Sequence, residues 1–174
     1  MLKWHAFLVI IYGWMTSGIG GVDPLEVRAY KISHELNVPG TPVEVFDALS
    51  GDISAWWDHS FSDNPKALYI EPKPGGGFFE IFDEAGNGVK HATVIAAERG
   101  KLLRFEGPLG LSGKAVQLIN SYEISAVGVD STHIKFELHG LGELDDELAT
   151  IIDNVWYHFL FERFKPYIEN KKQK

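Results

Sequence analysis

Few side chains in this sequence are arranged for bond-making chemistry. His34 falls among Tyr30, Ile32, Leu36 and Val38 on the apolar face of an alternating run, and Asn120 shares a face with Leu118, Tyr122 and Ile124. A buried polar group needs a partner, which backbone, water or a bound molecule can supply. His34, Tyr122 or His91 could serve as acid or base, although no spacing requires it. Arg163, near the end of a long apolar stretch, reads as a helix-end cation before it reads as an anion clamp. Ser112, in Gly110-Leu111-Ser112-Gly113, lacks the spacing of a nucleophile elbow. Gly75-Gly76-Gly77 leads into a strand with no Lys-Ser or Lys-Thr behind it, so it is a turn and not a phosphate cradle. No catalytic residue is assigned.

Metal ligands are equally sparse. There is no cysteine, which removes disulfides, thiolate chemistry and thiolate-bound metals. Of the seven histidines, His5 falls in the leader, and His133 and His139 are too far apart for a ligand pair with a supporting third. Glu143, Asp145, Asp146 and Glu147 cluster without the pattern of a calcium loop and mark a helix start. The expectation is no metal and no cofactor. A formal net charge of −8 argues against nucleic acid or an anionic membrane surface as partner.

The main positive signal is aromatic. Trp56, Trp57, Phe105, Tyr122, Phe136, Trp156 and Phe159 all fall on predicted inner faces or on the short segments that cap them. Around a concave sheet they would line a cavity for a small hydrophobic molecule. They would serve equally well as core, since burying one aromatic ring stabilises by about 1.5 to 3 kcal/mol without any ligand.

The elements that must position these residues follow from periodicity. Arg28 to Val38 alternates as a half-buried strand. Thr41-Pro42-Val43-Glu44 has the form of a capping box with proline at the first helical position, opening a short helix with Val45, Phe46 and Leu49 inside. A second short helix is expected to carry Ile53, Trp56 and Trp57. Strands follow at Ala67–Glu71, Phe78–Phe82, Val89–Glu98, Leu102–Glu106, Val116–Val127 and Thr132–His139, joined by short turns. The stretch from Leu144 to Tyr167 repeats apolar residues at helical spacing, with acids at its start and Arg163 and Lys165 near its end. Pro166 should end or kink it. Short turns imply an antiparallel sheet, so the class is α+β, with about six or seven strands against one long helix.

In this order the residues resemble the helix-grip fold of the START-like (SRPBCC) superfamily. They are most similar to the branch related to the activator of the heat-shock-protein-ninety ATPase. The likeness rests on Val38 to Phe46, the pair Trp56-Trp57, Gly75-Gly76-Gly77-Phe78, the hairpin Gly128 to Thr132 followed by His139-Gly140, and Trp156. It departs from that branch at Val155, where glycine is common, and at Pro166.

The resemblance implies a curved sheet wrapped on the C-terminal helix with a cavity between them. The expected function is binding of a small hydrophobic or amphipathic molecule, its polar end oriented by His34 and Asn120. Two alternatives are an enzyme of the polyketide cyclase, dehydratase or hydrolase kind in the same cavity, and a co-chaperone-like interaction module.

Residues 1–21 have a basic start, a short apolar run and small residues, the layout of a signal peptide; residues 22–174 then form one domain, periplasmic or secreted. Without cleavage the same chain would be cytoplasmic. The apolar run is too short and too interrupted by glycine for a stable membrane span. Oligomeric state is not legible.

Overall fold

The computed structural model describes residues 23–172, so the expected leader lies outside the described residues. Eight strands form one antiparallel sheet: β1 (Arg28–Pro39), β2 (Gly51–Asp52), β3 (Ala67–Ile70), β4 (Gly77–Ile81), β5 (Gly88–Glu98), β6 (Leu102–Gly107), β7 (Val116–Ala126) and β8 (Ser131–Gly142). Their spatial order is β1-β8-β7-β6-β5-β4-β3-β2. The strand beyond the expected seven is β2, two residues long and too short to show any period.

Between β1 and β2 lies α1 (Pro42–Leu49), capped as its sequence predicts: Thr41 Oγ1 accepts from Glu44 N–H, and the Glu44 carboxylate accepts from Thr41 N–H. The expected second helix is corrected to a single turn, in which the N–H groups of Trp56 and Trp57 both donate to the Ile53 carbonyl. It stops there because His59 and Ser60 turn their hydrogen bonds to the loop, Trp57 Nε1–H donating to the His59 carbonyl at 2.6 Å and Ser60 Oγ–H to the Ser62 carbonyl at 2.6 Å.

The Gly75-Gly76-Gly77 turn depends on glycine. Gly75 has φ +81°, and a Cβ on Gly76 would lie 2.4 Å from the Glu71 carbonyl oxygen. The turn also pairs with β5, Gly75 N–H donating to the Val94 carbonyl and Val94 N–H to the Gly76 carbonyl, both at 2.8 Å.

The C-terminal helix comprises α2 (Asp146–Tyr157), a π-helical segment (His158–Phe164) and α3 (Lys165–Lys172). Asp145 caps it, its carboxylate accepting from Leu148 N–H at 2.7 Å. The expectation that Pro166 ends the helix is corrected, since the helix runs on to Lys172. Lys165 N–H donates to the Leu160 carbonyl five residues back. That wider turn shifts the carbonyls off α spacing, so a ring that would clash four residues back is accommodated. No helix among the described residues is long and apolar enough to cross a membrane.

The inner face of the sheet and the helix share one core that includes Leu36, Phe46, Phe78, Phe105, Phe136, Trp156 and Phe164, all buried. Each β1 residue keeps the side its alternation predicts, with Ile32, Leu36 and Val38 inward and Lys31, Ser33, Glu35 and Asn37 outward. The architecture is α+β, a curved sheet gripping a long C-terminal helix.

Candidate functional site

Between the helix and the sheet the side chains leave a cavity of about 300 Å³. Its helix wall is Leu148, Ile151, Ile152, Val155, Trp156 and Phe159. Opposite stand Phe78 on β4, His91 on β5 and Leu118 on β7, and Pro108 to Leu111 together with Trp57, His59, Ser60 and Phe61 complete the lining. The surface is overwhelmingly apolar, and the volume is at the lower end of that for small-molecule sites.

Three of the sequence-predicted residues meet here. Trp57 stacks on Phe159 with centroids 3.9 Å apart and planes 18° apart, and stands edge-on to Trp156 at 5.9 Å. Four others form the layer behind this wall. Trp56 is buried edge-on to Phe164 at 5.0 Å, its indole N–H donating to the Ala48 carbonyl. Phe105, Tyr122 and Phe136 continue the aromatic layer under Trp156, which lies 4.4 Å from Phe136. Burial pushes the Tyr122 hydroxyl well above the ordinary phenol range, so it stays protonated.

The two expected polar residues lie apart from the cavity lining. His34 faces the opposite flank of α2, its Nε2 2.8 Å from Asp153 Oδ1. Asp153 and the cavity-lining Ile152 and Val155 point to different sides because helical spacing separates them. Asn120 is fully buried, and neither side-chain atom has a hydrogen-bond partner among the described residues. An unsatisfied buried amide costs about 1 to 3 kcal/mol. Asn120→Leu should therefore raise the urea midpoint, adding about 1 to 3 kcal/mol of stability. A fall in the midpoint would show that the amide has a partner worth keeping.

The Trp57–Phe61 wall is clasped to the helix by charge. Asp58 lies 3.0 Å from His158 Nε2, 3.0 Å from His59 Nδ1 and 3.1 Å from Arg163 Nε. Arg163 Nε–H also points to the Trp56 carbonyl at 3.3 Å, and His158 Nδ1 lies 2.7 Å from Glu162. Arg163 thus braces the tryptophan loop from within the π segment. Asp58, His59 and His158 bring three possible metal donors together. Sequence spacing gave no sign of this set, because Asp58 and His158 are 100 residues apart. The Arg163 guanidinium on the shared carboxylate opposes a second cation, and the arrangement works as a hydrogen-bonded clasp.

The clasp should depend on pH. Hydrogen bonds to Glu162 and then to Asp58 hold the His158 imidazole above its ordinary range. Partial burial works against the Asp58 charge, but His158, His59 and Arg163 outweigh it and hold the carboxyl below its usual range. A raised histidine contributes stability fully below its unfolded value and loses it as pH rises through its folded value. A depressed carboxyl loses its contribution as pH falls through its own folded value. The melting-temperature gap between the wild type and His158→Gln should be widest at mildly acid pH, about 4.5 to 6.5, and close above the histidine titration. A gap that ignores pH would contradict this.

A further participant on the opposite wall also escaped the sequence reading. Glu80 is fully buried on β4, accepting from Ser62 N–H at Oε1 (2.8 Å) and Phe61 N–H at Oε2 (3.0 Å), with His91 Nε2 3.0 Å from Oε2. The signal was present: alternation with the inward Phe78 turns Glu80 inward as well.

No protein-family model matches the sequence, and no curated protein matches it. Solved structures do match. A protein of unknown function from Staphylococcus aureus aligns with TM-score 0.60 at 13% identity, covering 86% of this chain and 99% of that one. The Aha1 dimer from Colwellia psychrerythraea gives 0.57 at 19%, covering 80% and 96%. Norcoclaurine synthase from Thalictrum flavum, a point mutant with a transition-state analogue, gives 0.52 at 15%, covering 86% and 99%. The chain therefore has the helix-grip fold, and its similar structures include Aha1.

Proposed function

We propose that the chain binds a small hydrophobic or amphipathic molecule in the cavity between the sheet and the C-terminal helix. The observation that carries this is the cavity itself: about 300 Å³, walled by Trp57, Trp156, Phe159 and aliphatic side chains. An aromatic core of this size would ordinarily close on itself, because interiors pack to crystal-like density. Trp56, Phe105, Tyr122 and Phe136 support the wall from behind, and the fold is one in which norcoclaurine synthase holds a transition-state analogue. The clasp of Asp58, His158 and Arg163 makes the Trp57 loop the natural gate.

The test is native mass spectrometry of protein purified gently from its own host, beside a denatured aliquot. An added mass of a few hundred daltons that vanishes on denaturation is expected. In Val155→Trp, where a third indole would fill the cavity, that adduct should be lost while the melting temperature holds. Bare protein in every preparation would overturn the reading. We also propose that residues 1–21 are a signal peptide removed on export, in which case the denatured mass falls short of 19.4 kDa by those residues.

An enzyme in the same cavity is the second reading, favoured by one observation: the pairing of buried Glu80 with the cavity-lining His91.

A further inference from the structure

We infer that Glu80 and His91 form the polar recognition point of the cavity, selecting ligands that present a hydroxyl or phenol to His91; this rests on the binding role proposed above.

Apart from the indole N–H groups of Trp57 and Trp156, which can only donate, the polar side chains on the cavity wall are His59, Ser60 and His91. The first two are engaged in the clasp and the loop: His59 Nδ1 lies 3.0 Å from Asp58, and Ser60 Oγ–H donates to the Ser62 carbonyl. The Trp57 indole N–H already donates to the His59 carbonyl. His91 is different. Its Nε2 is taken by Glu80, at 3.0 Å. Both Glu80 oxygens accept from backbone N–H groups, so the carboxylate faces His91 as an acceptor and Nε2 carries the proton. The nitrogen left for a ligand is then Nδ1, an acceptor in the neutral ring.

The ring is also held in place. Phe61 stacks on it at 5.3 Å with planes 29° apart, and Phe78 lies 5.0 Å away. Glu80 orients His91 as a carboxylate orients an imidazole in other buried pairs, by hydrogen-bonding the far nitrogen. Glu80 is thus a positioning residue, and His91 is the group that touches the ligand. In a wall so apolar, a ligand hydroxyl without an acceptor would lose its hydrogen bonds to water and gain nothing. With His91 it regains one.

The experiment compares para-propylphenol with propylbenzene by isothermal titration calorimetry, in the wild type, His91→Phe, His91→Gln and Glu80→Gln. The wild type should bind the phenol at least as tightly as the arene. His91→Phe keeps the bulk and removes the acceptor, so the phenol should weaken by about two- to tenfold relative to the arene. His91→Gln can still donate to Glu80 and still offers a carbonyl, and should restore part of the preference. Glu80→Gln should lower it, which a purely structural role would not do, because the ratio of two affinities cancels a general loss of packing. If both probes bind the wild type and the ratio is the same in all four proteins, the inference fails while the cavity reading stands. If neither probe binds the wild type, both fail.

Discussion

Trp156→Ala is expected to cost about 3 to 5 kcal/mol of stability, measured from chemical denaturation midpoints. Trp156 is 2% exposed and lies where four aromatic groups of the site converge. Its ring is 4.4 Å from Phe136, 5.8 Å from Phe159, 5.9 Å from Trp57 and 6.2 Å from Tyr122. Truncation removes the transfer energy of an indole and leaves a void that cannot collapse, because the sheet behind it is locked by its ladders. The void also opens into the existing cavity, so the variant should accept bulkier apolar ligands than the wild type. Trp156→Phe, which keeps a ring there, should cost far less. A loss below about 1 kcal/mol for the alanine variant would mean that the helix is not anchored to the sheet at this residue.

Glu80→Ala should be of similar size, about 3 to 5 kcal/mol, for a different reason. The deletion removes a buried acceptor and leaves three donors facing an apolar void: the N–H groups of Phe61 and Ser62 and the His91 ring. The loop carrying Phe61 would lose its tie to β4, so amide exchange at Phe61 and Ser62 should accelerate far more than in the β7–β8 ladder. Uniform acceleration would mean that the carboxylate supports the whole fold and not this loop. Urea denaturation and amide exchange on the same variant separate the two outcomes.

Both predictions concern residues whose environment is non-local, and that is where sequence and structure part company. Trp156 was legible as an inward helix position from the spacing of Leu148, Ile152 and Val155. Glu80 could have been read from its alternation with Phe78, but a lone acid within an aromatic strand looks like a wet-face residue until its neighbours are known. His34 and Asn120 were read correctly as inward polar positions. Whether they reach the cavity depended on which flank of the helix lies above each of them. His34 sits beneath Asp153, on the flank away from the cavity, and Asn120 is sealed into the core.

What the chain determines by itself is local. Strand limits, the Thr41 capping box, the glycine turn and the amphipathic helix follow from period, propensity and turn chemistry, each acting within a few residues. Their order was enough to place the fold as a sheet gripping a helix. Tertiary structure alone decided that Asp58 would meet His158 and Arg163, that Glu80 would meet Ser62 and His91, and that Trp57 would line the cavity while Trp56 would not. Each of these depends on sheet curvature and on the register of the helix above it. Curvature and register are set by the summed packing of the whole core, so no short stretch of sequence carries them.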